Sequence, residues 1–204
     1  RVKLYSRIRD AQDDWVLRSE AKVRVLDVKA PKVRLFDPED PSYEKIDAAY
    51  VYDVDASTGL INYGTAFQTV QDLWMSRSKT VARIALRKEG EPTKDRHHLH
   101  PTMFDGCLQI LEPSMTLKKV AQGRQPGDPV CLPVGVGRMR VYADFPDEVI
   151  VRADQFKNTK GSDASVGFTV MDLDGNVLMV VEDVRVKLLP SKQAEEAGDS
   201  VPAH

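Results

Sequence analysis

The sequence predicts an α+β domain, on two observations. One segment, centred on residues 102–111, repeats apolar side chains at helical spacing, while most other patterned segments alternate with the period of a strand. A single helix among antiparallel strands buries its apolar stripe by packing against a sheet, which gives a layered α+β architecture. The sheet, drawn from residues 66–188, is expected to curve around the helix.

Composition narrows the class. The chain has 204 residues, enough for one sizeable domain or a domain plus part of another. Hydrophobic residues make up 42% and charged residues 29%, as in ordinary globular proteins. A formal net charge of −2 supplies no global attraction to nucleic acid or an anionic membrane. No apolar run approaches the roughly 20 residues of a membrane helix. The chain starts Arg1-Val2-Lys3-Leu4, without Met or a signal-peptide pattern, and is expected to be an excised or processed piece. Cys107 and Cys131 are too few for a disulfide framework, so reduced thiols and a cytoplasmic setting are expected.

The elements follow in order. Residues 2–8 and 15–28 read as strands, and the turn-like 10–14 stretch between them predicts a hairpin. Residues 31–42 carry three prolines and no period, which reads as a linker, and 43–52 as a short helix. Ser57-Thr58-Gly59 turns the chain into Leu60-Ile61-Asn62-Tyr63-Gly64. Residues 66–75 and 80–87 are strand-like, the helix comes next, and 118–129 form a loop rich in Gly, Pro and Gln. Four strands are expected at 130–143, 149–156, 165–173 and 177–188. Asp174-Gly175 is a hairpin-turn dipeptide, and Val184, Val186 and Leu188 alternate with Arg185 and Lys187 to give one buried and one solvated face. The first hairpin has too few strands to bury an apolar face alone, so it reads as the end of a second, similar unit. The organisation is therefore 1–28 as terminal strands of that unit, 29–58 as linker, 59–190 as the complete unit, and 191–204 as a disordered tail.

The helix carries the chemistry. In His100-Pro101-Thr102-Met103-Phe104-Asp105-Gly106-Cys107-Leu108-Gln109, the residues Phe104, Cys107, Leu108 and Leu111 fall on one face. Pro101 suits the first helical turn, and Pro113 is expected to end the helix. Asp105 and Gln109 are i, i+4 neighbours, so the amide can reach the carboxyl group. Beside an apolar stripe, burial raises an Asp pKa, and a carboxylic acid that stays protonated near neutral pH is a proton donor. The competing reading is an exposed Asp favoured by the helix dipole.

His97, His98 and His100 do not have a zinc spacing, so no metal site is expected, and His100 reads as a residue that caps or orients the helix start. Lys118, Lys119, Arg124, Arg138 and Arg140 could meet an acidic partner or form a solvated surface. The chain has no phosphate-binding glycine motif, no Gly-x-Ser-x-Gly elbow and no nucleic-acid signature.

Four landmarks in order give a resemblance to the dehydratase domains of modular polyketide synthases. They are Gly59-Leu60-Ile61-Asn62-Tyr63-Gly64-Thr65-Ala66-Phe67, then Trp74, then His100-Pro101 with Asp105 and Gln109, then Leu132-Pro133. The resemblance covers about residues 1–189. It implies a hot-dog fold, with a curved antiparallel sheet wrapped around a central helix, as the second half of a double hot dog whose first half is mostly missing. It also implies elimination of water from a β-hydroxyacyl group on acyl carrier protein, giving an α,β-enoyl thioester. Asp105 would protonate the leaving hydroxyl and Gln109 would orient it. Tyr63 and Gly64 would line the tunnel entrance, with Phe67, His100, Pro101, Leu132 and Pro133 also substrate-binding. Gly106 would let the backbone approach the substrate. Tyr63 and Phe67 also suit ordinary core packing.

No cofactor is implied beyond the phosphopantetheine arm of the carrier protein. The implied partners are the acyl carrier protein, neighbouring synthase domains and a second copy in a homodimer. Nucleic acid and membrane are not among them.

One departure bears on activity. The family's catalytic His lies in a His-x-x-x-Gly-x-x-x-x-Pro motif, and none of His97, His98, His100 and His204 has that context. Arg18 also stands where the family usually has a His three residues after Trp15. This chain alone is therefore expected to lack dehydratase activity. The resemblance leaves two other functions open: a non-catalytic scaffold or carrier-binding module, and an isomerase or cyclase on the same fold. A free-standing hot-dog thioesterase fits less well, because the first hairpin implies a fused second unit.

Overall fold

The computed structural model describes residues 1–7, 14–25, 27–52, 61–111, 130–154, 157–158 and 163–189. Two sheets form. β1 (Val2–Ser6) and β2 (Val16–Ala21) make an antiparallel hairpin, a sheet of their own. Its second strand stops at Ala21, short of the expected residue 28, and Val2, Leu4, Val16 and Leu17 remain exposed. Most of the connecting turn lies outside the described residues, as do 57–59, 118–129 and the 191–204 tail.

The main sheet is antiparallel throughout. Its strands are β3 (Glu44–Ile46), β4 (Val70–Met75), β5 (Lys79–Ala85), β6 (Val130–Val141), β7 (Glu148–Asp154), β8 (Lys157–Asn158), β9 (Asp163–Met171) and β10 (Val177–Leu189). They lie in the order β3-β4-β5-β7-β9-β10-β6, with β8 beside β9. The helix α1 (Pro101–Gln109) packs on one face. Alternation decides which side chains meet it: Val149, Val151 and Ala153 of β7 join its core, whereas Ile150 points to the other face. Residues from β4, β5, β7, β9 and β10 share one core with Met103, Cys107 and Ile110, so the sheet wraps the helix. The hairpin between β9 and β10 turns where expected, with Gly175 at φ 85° and Asp172 accepting the Asp174 and Asn176 N–H groups.

Four expectations need correction. Residues 44–46, expected in a short helix, form an edge strand on β4; only 49–52 are helical, capped by Asp47 Oδ1 accepting the Ala49 N–H at 2.9 Å. The stretch read as linker is also attached: Phe36 and Tyr43 pack on Trp74, with ring centroids 5.0 Å apart for Phe36–Trp74, and Lys32 bridges to Asn176. Residues 66–67 belong to a 3₁₀ turn (Thr65–Phe67), so the following strand starts at Val70.

The fourth correction concerns the helix face. Met103, Gly106, Cys107 and Ile110 are its buried i, i+3, i+4, i+7 stripe; of the expected face, Cys107 and Leu111 are buried, and Phe104 and Leu108 sit half-buried at the margin. The stripe is turned by one residue, about 100°. The cause is Gly106, which a hydrophobicity pattern does not count: its missing side chain admits Thr69 and Ile84 of the sheet side.

Candidate active site

Asp105 stands half-buried in the second turn of α1, and a chain of hydrogen bonds reaches it from three segments. Gln109, one turn on, donates from Nε2 to Asp105 Oδ2 at 2.8 Å and to the Phe67 carbonyl at 3.0 Å. Its Oε1 accepts from the Tyr52 hydroxyl at 3.3 Å, and that hydroxyl accepts the Val70 N–H at 2.7 Å. Burial pushes the Asp105 carboxyl above its ordinary value, and the Gln109 donor pulls the other way. Burial also pushes Tyr52 up to about 12, so its hydroxyl stays protonated across the physiological range.

The structure distributes the expected site residues unevenly. Tyr63 is half-buried and meets Tyr52 edge-on, with centroids 6.0 Å apart. Gly64 is exposed, and Phe67 is 40% exposed while its carbonyl holds Gln109. Tyr63 thus meets Tyr52 and Phe67 meets Gln109, while Gly64 joins them through its carbonyl, which accepts the Phe67 N–H at 2.9 Å.

Pro101 is exposed in the first turn. His100 is 7% exposed and faces inward: Nε2 lies 3.1 Å from Thr93 Oγ1, and Nδ1 lies 2.9 Å from Thr102 Oγ1. Burial and the neighbouring His97 hold its pKa below the ordinary value. His100 thus ties the Glu91–Arg96 3₁₀ helix to the start of α1.

Gly106 is occupied by packing, not by open space: a Cβ there would overlap Thr69 Oγ1 and press on Ile84 Cγ2 at 3.1 Å. Leu132 and Pro133 lie on the edge strand β6, paired with Lys187 and Val186. Leu132 shares an exposed row with Val134 and Val136.

Arg138 and Arg140 both reach Glu182, at 3.7 and 2.9 Å. Cys107 is fully buried, and desolvation pushes its thiol up. No group of three or more His, Cys, Asp or Glu suited to a metal occurs among the described residues. Among them, no helix is long and apolar enough to cross a membrane.

A cleft of about 640 Å³ opens away from this site, lined by Arg34, Tyr43, Lys79 and Arg152. Its carboxylates close local turns, Asp37 accepting from Glu39 and Asp40 from Ser42, and Asp105 does not line it.

Reading the sequence missed Tyr52, Thr69 and Thr93. Only Asp47, a cap residue five positions before Tyr52, marked the local turn that aims that ring.

A wrapped antiparallel sheet around a helix with an inward Asp–Gln pair defines a hot-dog domain. Solved structures agree. The dehydratase domain from the CurF module of curacin polyketide synthase superposes with a TM-score of 0.71 at 25% identity, covering 91% of this chain and 63% of that one. An inactive mutant of the CurJ dehydratase, in complex with a compound, gives 0.76 at 18% identity, with 91% and 63% covered.

The family profile described as polyketide synthase dehydratase N-terminal domain matches residues 32–196, and the chain belongs to that family. Among curated relatives, a mycocerosic acid synthase-like polyketide synthase of Mycolicibacterium smegmatis is 27% identical over 178 residues, 78% of this chain and 8% of that protein. A phenolphthiocerol synthesis polyketide synthase type I of Mycobacterium tuberculosis, whose name marks it as suspected to be inactive, is 26% identical over 202 residues, 96% of this chain and 11% of that protein. The chain thus spans about a tenth of the curated relatives it matches and just under two thirds of these solved dehydratase domains.

Proposed function

We propose that this chain is the acid-bearing part of a modular polyketide synthase dehydratase domain, which removes water from a β-hydroxyacyl thioester. The substrate arrives on the phosphopantetheine arm of an acyl carrier protein, and the reaction needs no cofactor of its own. A base contributed from outside these residues takes the α-proton. The electron pair forms the α,β double bond, the β-carbon–oxygen bond breaks, and Asp105 delivers its proton to the departing oxygen. Hydroxide leaves poorly, so a positioned neutral acid is what the step requires.

The observation that carries this reading is Asp105 itself. Burial raises its pKa, Gln109 holds one of its oxygens, and the Phe67 carbonyl holds Gln109 in turn. Phe67, Leu132 and Pro133 offer apolar surface for the acyl chain. The working assembly comprises the carrier protein, neighbouring synthase domains and a second copy of the domain.

The test uses the complete domain with a β-hydroxyacyl carrier-protein substrate, following loss of water by mass. Asp105→Asn is expected to lower turnover roughly 10²–10⁴-fold with the fold retained, and Gln109→Ala to lower it less. Wild-type turnover in Asp105→Asn removes this residue from the mechanism. The competing reading is a non-catalytic scaffold, and the sequence upstream of these residues discriminates: a His-x-x-x-Gly-x-x-x-x-Pro motif there supports the enzyme, and its absence there supports the scaffold. That reading predicts carrier-protein binding by the complete domain with no enoyl product.

A further inference from the structure

We infer that Tyr52 is a positioning residue for Asp105, acting through Gln109. Together with the Phe67 carbonyl it fixes which end of the Gln109 amide faces the carboxyl group, and so which carboxyl oxygen carries the proton. The inference rests on Asp105 being the acid of the proposed reaction, but its geometry stands without that reading.

The two ends of a glutamine amide have nearly the same shape and opposite polarity. Turned one way, Gln109 offers Asp105 a donor; turned the other, an acceptor. Its surroundings settle the direction. The Phe67 carbonyl can only accept, so it requires an N–H at 3.0 Å. Tyr52 has a single hydroxyl hydrogen, and its oxygen already accepts the Val70 N–H at 2.7 Å. That hydrogen is free to donate, and Gln109 Oε1 stands 3.3 Å away to receive it.

The opposite turn would set Oε1 against both Phe67 O and Asp105 Oδ2 and leave the Tyr52 hydrogen without this acceptor. Lone pairs facing one another in a half-buried site cost more than one lost hydrogen bond. With both Nε2 hydrogens committed, Asp105 Oδ2 is an acceptor in either protonation state. The transferable proton is therefore confined to Oδ1. The instruction comes from 57 residues upstream, and the edge-on contact with Tyr63 holds the Tyr52 ring in place.

The experiment follows the Asp105 carboxyl by ¹³C NMR titration in the full 204-residue chain, the signal being assigned from its loss in Asp105→Asn. Four proteins are compared: wild type, Tyr52→Phe, Gln109→Ala and the double variant. Tyr52→Phe keeps the ring that packs on Tyr63. It is expected to move the Asp105 midpoint upward, because a loosened amide donates less well to the carboxylate. Gln109→Ala moves it further in the same direction, and adding Tyr52→Phe to Gln109→Ala produces no further shift. A residue that merely supported the fold would shift Asp105 equally in both backgrounds, so an additive result overturns the inference, as does an unmoved midpoint in Tyr52→Phe.

If Tyr52→Phe does not fold, difluorotyrosine at position 52 serves instead. It is a stronger donor and is expected to lower the Asp105 midpoint, and no change overturns the inference. The titration does not measure elimination. Retained turnover in Asp105→Asn would sink the acid reading and leave this relay standing.

Discussion

Gln109 Nε2 donates to Asp105 Oδ2 across 2.8 Å, one helical turn away on the same face of α1. The contact is local, but its meaning is not: the amide opposes a burial that disfavours the charged carboxylate. Asp105 is therefore a group whose charged form the fold holds at a cost.

That cost is measurable as stability. The carboxyl pKa is raised above the ordinary 3.8, so the folded state binds the proton more tightly than the unfolded chain does. Its favourable contribution is full below the unfolded value and is lost as pH rises through the folded value. Asp105→Asn cannot ionise and still accepts from Gln109. In urea unfolding, the variant is expected to gain on wild type as pH rises through this window and to stay ahead at neutral pH. A stability difference that does not vary with pH counts against a raised pKa.

Gly106→Ala tests the close approach of helix and sheet. Alanine gains about 1 kcal/mol of helix propensity over glycine. Against that, the new methyl overlaps Thr69 Oγ1, which is buried and donates to the Thr102 carbonyl at 3.3 Å, so it cannot swing aside freely. Overpacking costs about 1–3 kcal/mol and outweighs the propensity gain. Net destabilisation is expected, with part recovered in Gly106→Ala/Thr69→Ala, where the oxygen is gone. Strictly additive losses in chemical denaturation would mean that the two residues do not press on one another.

His100→Gln tests the lock at the helix start. The two imidazole contacts, to Thr93 and Thr102, are buried or half-buried, and losing both is expected to cost about 1–3 kcal/mol. The pH dependence is the sharper readout. With the folded pKa held below the ordinary 6.5, the unfolded chain takes up the proton first. Wild-type stability therefore falls as pH drops from about 6.5 through the folded value, and the variant lacks that loss. Parallel profiles for the two proteins would show that His100 is not buried in neutral form.

Much of the fold was legible because its signals are local. The alternation of Val184 and Val186 with Arg185 and Lys187 reports the two faces of β10, and each of those side chains lies on the expected side. Residues 32–42 were not legible, because they have no period, and 44–46 were read as helix where they form an edge strand. What attaches them is Phe36 and Tyr43 packed on Trp74, contacts that cross more than 30 residues of chain. The Asp105–Gln109 pair was legible for the same local reason, and its support was not.

By itself the sequence determined the helix, the Asp105–Gln109 spacing and the hairpin turn at Gly175, since each depends on neighbours within four residues. Tertiary structure alone decided how α1 is rotated, because the depth of Gly106 depends on Thr69 and Ile84 of another segment. It alone turned His100 inward between Thr93 and Thr102. And it alone brought Tyr52 to Gln109, for the direction of an amide is set by whichever donors and acceptors surround it in space, and these come from residues 52, 67 and 70.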